Sequence, residues 1–131
     1  MLEKSAIIMI VDDMKMVRTS IKKYLTSLGY QNFIEAENGN EAVKKLIQGR
    51  AESLNIKLVL CDIVMPFMDG KAVLQKVREI DSSLPVVMLS SVADQKTIDE
   101  CKALGAFDYL LKPINADTGP KILKDLLGKL G

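Results

Sequence analysis

The sequence predicts an α/β fold: five parallel strands in one open, doubly wound sheet, with helices on both faces. Three observations carry that reading. Short uninterrupted apolar runs recur at Ala6–Val11, Leu58–Cys61 and Val86–Leu89, and Phe107–Leu111 is similar but for one Asp. Such runs suit strands buried on both faces, as parallel strands are. Between them lie longer stretches whose apolar residues fall on one helical face. The resulting order is β-α throughout, and parallel strands require such crossovers.

The elements follow in order. Ala6–Val11 is rich in β-branched residues and forms the first strand. Met14–Leu28 places Val17, Ile21, Tyr24, Leu25 and Leu28 on one face, and Gly29 stops the helix. Phe33–Ala36 is a weaker second strand. Asn40–Gln48 groups Ala42, Val43, Leu46 and Ile47, with Asn40 as the expected N-cap. Leu58–Cys61 is the third strand. Gly70–Ile80 carries Val73, Leu74, Val77 and Ile80 on one face. Val86–Leu89 is the fourth strand. Asp94–Leu104 carries Ile98, Cys101 and Leu104, and Gly105 ends it. Phe107–Leu111 is the fifth strand. Ile122–Leu130 carries Ile122, Leu123, Leu126, Leu127 and Leu130. Gly119 and Pro120 precede that stripe. Proline inside a helix loses a hydrogen bond and clashes with the turn before it, at roughly 3 kcal/mol, but is harmless in the first turn. The last helix is therefore expected to start late, near Thr118–Pro120, or to have a distorted first turn.

The length of 131 residues suits one domain, expected to span 1–131. Eighteen basic residues nearly balance seventeen acidic ones, for a net charge of +1. That balance gives no case for a nucleic-acid or membrane partner. Cys61 and Cys101 fall on a predicted buried strand and a helix face, where reduced thiols pack as small hydrophobes. The longest apolar run, Ala6–Val11, is too short to cross a bilayer, and Met1–Ser5 leads straight into it. A cytoplasmic protein is expected. There is no histidine, which removes histidine-ligated metals, histidine general bases and phosphohistidine chemistry.

Open α/β sheets place their sites beyond the carboxyl ends of the strands. Asp12 and Asp13 follow the first strand, Asp62 the third, Ser90 and Ser91 the fourth, and Lys112 with Pro113 the fifth. Each has a bland reading alone: Asp13 could cap a helix, Ser90 could serve a turn, and Lys112 would be unremarkable. Together they place three carboxylates, two hydroxyls and an ammonium at one sheet edge. Clustered carboxylates repel one another and call for a cation. A hard, oxygen-preferring ion such as Mg²⁺ (or Mn²⁺) fits.

Four segments then carry a resemblance. Ile8–Met14 (IMIVDDM), Leu58–Gly70 (LVLCDIVMPFMDG), Val86–Ser91 (VVMLSS) and Gly105–Pro113 (GAFDYLLKP) resemble, in this order and spacing, the receiver domains of two-component response regulators. The likeness covers essentially the whole chain. Asp12–Gly39 looks most like the stand-alone chemotaxis regulators of that family. The resemblance implies a flavodoxin-like strand order, 2-1-3-4-5, and a site residue by residue. Asp62 would accept the phosphoryl group. Asp12, Asp13, Asp62 and the backbone carbonyl of Val64 would hold Mg²⁺. Ser90 would bond the phosphoryl oxygens and Lys112 would pair with them. Tyr109 would be the aromatic switch that turns inward as Ser90 moves. The peptide before Pro113 would be cis, and Asn115 stands where the last helix is usually capped. Val64 and Val92 occupy the two positions that tune hydrolysis.

A carboxylate nucleophile is already ionised near neutral pH, so the missing histidine removes nothing it needs. Phosphoryl transfer asks mostly for alignment and charge stabilisation. The implied donor is a sensor histidine kinase, and the implied output is protein binding, with chemotaxis and the flagellar motor switch first and a separate phosphatase as a further partner. A phosphorelay shuttle, a phosphate sink, or a receiver from a larger regulator or hybrid kinase are alternatives within the family. The chain is expected to catalyse only its own phosphorylation and dephosphorylation, and so not to be an enzyme in the usual sense. Outside the family, a haloacid-dehalogenase-like phosphatase needs a second Asp where Val64 stands. A flavin binder needs a phosphate loop where Asp12 and Asp13 stand, and no nucleotide-binding glycine fingerprint is present.

Overall fold

The computed structural model describes residues 1–130. Strands and helices alternate: β1 (Ile7–Val11), α1 (Lys15–Ser27), β2 (Asn32–Ala36), α2 (Gly39–Ala51), β3 (Ile56–Asp62), α3 (Gly70–Ile80), β4 (Val86–Ser90), α4 (Gln95–Ala103), β5 (Asp108–Leu111) and α5 (Gly119–Gly128). Every strand pairing is parallel, and the sheet order is β2-β1-β3-β4-β5, as expected. From β1 the chain moves outward to β2, then crosses to β3 on the other side. The switch point therefore lies between β1 and β3.

Side-chain alternation along the strands feeds two cores. Met9, Val11, Val59, Cys61, Val86 and Met88 point to the face covered by α2, α3 and α4. Ile8, Ile10, Leu58, Leu60, Val87 and Leu89 point to the face covered by α1 and α5. Both faces are thus closed, which explains why β1, β3 and β4 read as unbroken apolar runs. The edge strands β2 and β5 are only half-buried and correspondingly more polar. Cys61 and Cys101 are buried free thiols in one core, as expected. No helix among the described residues is long and apolar enough to cross a membrane.

Local details refine several boundaries. The N-cap of α2 is Asn38, not Asn40: the Asn38 side chain accepts the Glu41 N–H at 2.8 Å. The reason is packing. Gly39 opens the helix so close to α3 that a Cβ there would lie 2.8 Å from Met68 and Val73 atoms. The apolar pattern set the expected cap two residues late, and also stopped α2 short of its end at Ala51. Strand β5 begins at Asp108 rather than Phe107, because Phe107 is 43% exposed at the edge. Helix α4 buries only Cys101 and is the least embedded helix. Helix α5 starts at Gly119 with Pro120 in its first turn, the late start that proline demands. Asn115 still organises the preceding turn, accepting N–H bonds from Asp117 and Thr118 at 3.0 Å each.

Candidate functional site

Register brings the expected residues together at the carboxyl edge. Val11 pairs with Cys61, so Asp12 and Asp62 stand side by side one step further on. Asp62 pairs with Leu89, which sets Ser90 one residue beyond it. Ser90 pairs with Leu111, and the Lys112 N–H donates to the Ser90 carbonyl at 2.9 Å. Four strands thus deliver Asp12, Asp62, Ser90 and Lys112 to one edge.

The carboxylate oxygens of Asp12, Asp13 and Asp62 all lie within 4.8 Å of one another. Asp12 and Asp62 are buried, at 1% and 7% exposure, while Asp13 is exposed. Asp12 Oδ1 accepts the Met14 N–H at 2.9 Å. Lys112 Nζ donates to Asp12 Oδ2 at 2.8 Å and lies 3.4 Å from Asp62 Oδ2. Burial pushes the Asp62 carboxyl above its usual range; the Lys112 ammonium opposes that and Asp12 adds to it. Burial disfavours the charged Lys112, but bonds and charge from Asp12 and Asp62 outweigh it and raise its pKa. Three carboxylates against one ammonium leave an excess of negative charge in a partly buried site. A divalent oxygen-preferring cation fits this donor set, and Asp12, Asp13 and Asp62 are placed to hold it.

Ser90 is fully buried, and its Oγ accepts the Val92 N–H at 3.1 Å. Tyr109 donates its hydroxyl to the Val92 carbonyl at 2.5 Å. The Val92 backbone is therefore held from both sides by the two expected switch residues. The ring of Tyr109 is half-buried in the core under α4, so the inward position is the one the structure shows. Val64 is 63% exposed, and it shares a cavity of about 270 Å³ with Val92, Asp69 and Lys71. The Lys112–Pro113 peptide is cis, as expected.

Two groups near the site escaped the sequence reading. Arg18 is buried, donates Nη1 to the Asp12 carbonyl at 2.7 Å, and bonds Glu35 Oε1 through Nε at 3.0 Å. Its signal was available: Arg18 lies on the same stripe as buried Ile21 and Leu25. Lys22 holds the other oxygen of Glu35 at 2.8 Å. Gly70 is the second. A Cβ there would lie 2.2 Å from the Asp62 carbonyl, so only glycine lets α3 start this close to the end of β3. Asp69 caps that helix by accepting the Ala72 N–H at 2.9 Å.

Comparison with known proteins adds independent support. The family model described as "Response regulator receiver domain" matches residues 8–124. The chain is 36% identical over 110 residues to the chemotaxis protein CheY of Bacillus subtilis (strain 168), covering 84% of this chain and 88% of that protein. It is 35% identical over 108 residues to CheY of Treponema pallidum (strain Nichols), covering 82% and 73%. Among solved structures, CheY in a CheX–CheY–BeF3–Mg complex from Borrelia burgdorferi aligns with a TM-score of 0.85 at 29% identity, over 95% of this chain and 88% of that one. CheY4 of Vibrio cholerae aligns with a TM-score of 0.81 at 28% identity, over 97% and 99%.

Proposed function

The chain belongs to the response regulator receiver family, and from that premise we propose that it accepts a phosphoryl group on Asp62 and signals in chemotaxis by binding another protein. The observation that carries the reading is the convergence of Asp62 with Asp12, Asp13 and Lys112 at the switch-point edge of the sheet. Mg²⁺ would be held by Asp12, Asp13, Asp62 and the backbone carbonyl of Val64, and when bound it supplies positive charge to the phosphoryl oxygens. Asp62 is the nucleophile. One of its carboxylate oxygens forms a bond to phosphorus as the bond to the donor nitrogen breaks, and the donor histidine departs with the electron pair. Lys112 pairs with the phosphoryl oxygens, and the Ser90 hydroxyl donates to one of them.

The donor is a sensor histidine kinase, as membership of the receiver family suggests; with no histidine of its own, this chain offers no phosphohistidine to itself. The chain catalyses only its own phosphorylation and dephosphorylation, in the cytoplasm where ATP-driven kinases work. Its switch runs through the Val92 backbone: a pull on the Ser90 hydroxyl is felt by the peptide that Tyr109 also holds. Helix α4, with one buried residue, is the element free to respond. The face formed by α4, β5 and α5 is then the output surface. The flagellar motor switch is the first target to test. Relatives carry the name of chemotaxis proteins, and one structural neighbour was solved in complex with CheX; a phosphatase partner fits the same reading.

The experiment is direct. Incubate the protein with acetyl phosphate and Mg²⁺ and measure intact mass. The protein gains one phosphoryl group, and Asp62→Asn does not. Full labelling of the Asn variant would sink the assignment.

A further inference from the structure

Phe67 combines two features that occur together at no other described residue. Its side chain is 92% exposed, more than any other large apolar residue among those described. Its φ is +70°, and across it the Met68 N–H donates to the Pro66 carbonyl at 2.9 Å. A bond between residues two apart, with positive φ at the middle one, marks the rare and strained form of γ-turn. Positive φ is an outlier for a bulky side chain, whereas glycine or asparagine takes it readily. The chain therefore accepts both backbone strain and a solvated ring at one position. The solvated ring adds no burial to the fold, and that combination points to function.

The loop is anchored so that the backbone under this ring is fixed. Ile63 and Met65 are buried, at 5% and 8% exposure. The Met68 side chain lies against Gly39. The Gly70 N–H closes the base of the loop on the Ile63 carbonyl at 2.7 Å. With those anchors set inward, Val64 and Phe67 face outward. Aromatic rings on a fixed backbone suit protein interfaces as anchors, because only two side-chain torsions remain to be ordered on binding.

The place of the loop identifies the occupant. It begins at the residue after Asp62, whose carboxylate is only 7% exposed. A protein that delivers a phosphoryl group to Asp62 must bring a donor atom to that recess and so must cover the loop. Two exposed carboxylates outside the proposed metal site stand near it: Glu37, two residues before the Gly39 that Met68 packs against, and Asp69 in the loop itself. Their charge complements basic side chains on the incoming protein.

We infer that Phe67 is the anchor by which a protein phosphodonor docks over the acceptor site, its ring entering an apolar pocket edged with basic side chains. The inference rests on Asp62 being the acceptor.

Phe67→Asn and Phe67→Tyr test it. Label parent and variants with acetyl phosphate, and separately with an autophosphorylated histidine kinase chosen because it labels the parent. The Asn variant is expected to melt about 2–4 °C higher once the strain is relieved. It is expected to take label from acetyl phosphate at the parent rate. Transfer from the kinase should fall about tenfold or more in kcat/KM, carried by KM, and Phe67→Tyr should restore it. Equal transfer to parent and Asn variant overturns the inference. So does an equal drop with acetyl phosphate, because Phe67 would then act at the acceptor itself. If the substitution slows only protein-assisted loss of label, the anchor serves a phosphatase and the donor assignment is wrong. A parent that takes no label from acetyl phosphate is a separate failure, since it removes Asp62 as acceptor.

Discussion

Lys112 is bonded more closely to Asp12 than to Asp62: its ammonium nitrogen lies 2.8 Å from Asp12 Oδ2 and 3.4 Å from Asp62 Oδ2. It is the ammonium shared by two buried carboxylates, and the phosphoryl role proposed for it requires a shift toward Asp62. A cation among the three carboxylates would release Lys112 from Asp12 for that role.

Removing the ammonium should therefore be costly without metal. Lys112→Met leaves Asp12 and Asp62 buried and facing each other, and should destabilise the metal-free protein by about 2–4 kcal/mol. Added Mg²⁺ should raise the melting temperature of the variant more than that of the parent, since it takes over the missing charge. Equal Mg²⁺ gains in both proteins would show that Lys112 does not balance this site.

Asp62 gives the opposite sign. Burial and Asp12 raise its carboxyl pKa in the folded state, against the pull of Lys112. A raised acid binds its proton more tightly folded than unfolded. Stability is thus lost as pH rises from the ordinary carboxylate range through the raised value. Asp62→Asn removes that penalty, so the metal-free variant should be more stable than the parent near neutral pH, by about 0.5–2 kcal/mol. The advantage should shrink as pH falls into the acid range. Urea titrations at several pH values, with chelator present, would check both points. A variant less stable than the parent at neutral pH would contradict the account.

How much of this was legible in the sequence follows from the kinds of signal involved. Unbroken apolar runs at Ile7–Val11 and Val86–Leu89 report burial on both faces, and burial decides strand placement. The site was legible because position in the chain is position at the sheet edge: residues just past parallel strands must cluster. Pro120 announced the start of α5 because a missing N–H restricts it to the first turn. What stayed hidden depends on distances between elements. The start of α2 at Gly39 is set by contact with α3. The role of Arg18 needs the fold of β2 to bring Glu35 beside it. The strain at Phe67 is invisible in its letter, which gives a ring and no φ.

The Arg18–Glu35 pair supports the loop that presents Asp12 and Asp13. A bond from Lys22 lowers the Glu35 carboxyl pKa; burial opposes this, and Arg18 adds to the lowering. A lowered acid contributes stability above the ordinary carboxylate range and loses it as pH falls through the folded value. Glu35 is one-third exposed, so Glu35→Gln should cost only about 0.5–1 kcal/mol at neutral pH. Arg18→Met should cost about 1.5–3 kcal/mol, because it also strips a charged donor from the buried Asp12 carbonyl. Thermal unfolding of both variants would decide the order. If Glu35→Gln costs as much as Arg18→Met, the bond to Asp12 is not the larger part.

The lifetime of the phosphoryl group should depend on Val64 and Val92. Both line one cavity of about 270 Å³ just past the end of β3, with Asp69 and Lys71. Neither side chain can hydrogen-bond a water, so a water entering there has no side-chain partner from these two positions to align it with phosphorus. Positioning is worth much of the barrier in such reactions. Self-dephosphorylation of the parent is therefore expected to be slow. The Val92 backbone is fixed by Ser90 and Tyr109, so a longer side chain at this position would extend from a held peptide. Val64 is 63% exposed, so a polar replacement there meets no steric obstacle. The double variant Val64→Asn with Val92→Glu should lose label faster than the parent, by about tenfold if the two groups orient one water. Each single variant should fall between. The measurement is decay of phosphoryl label with Mg²⁺ present and the donor removed. Decay in the double variant equal to or slower than in the parent would mean that something other than water access at these two positions sets the clock.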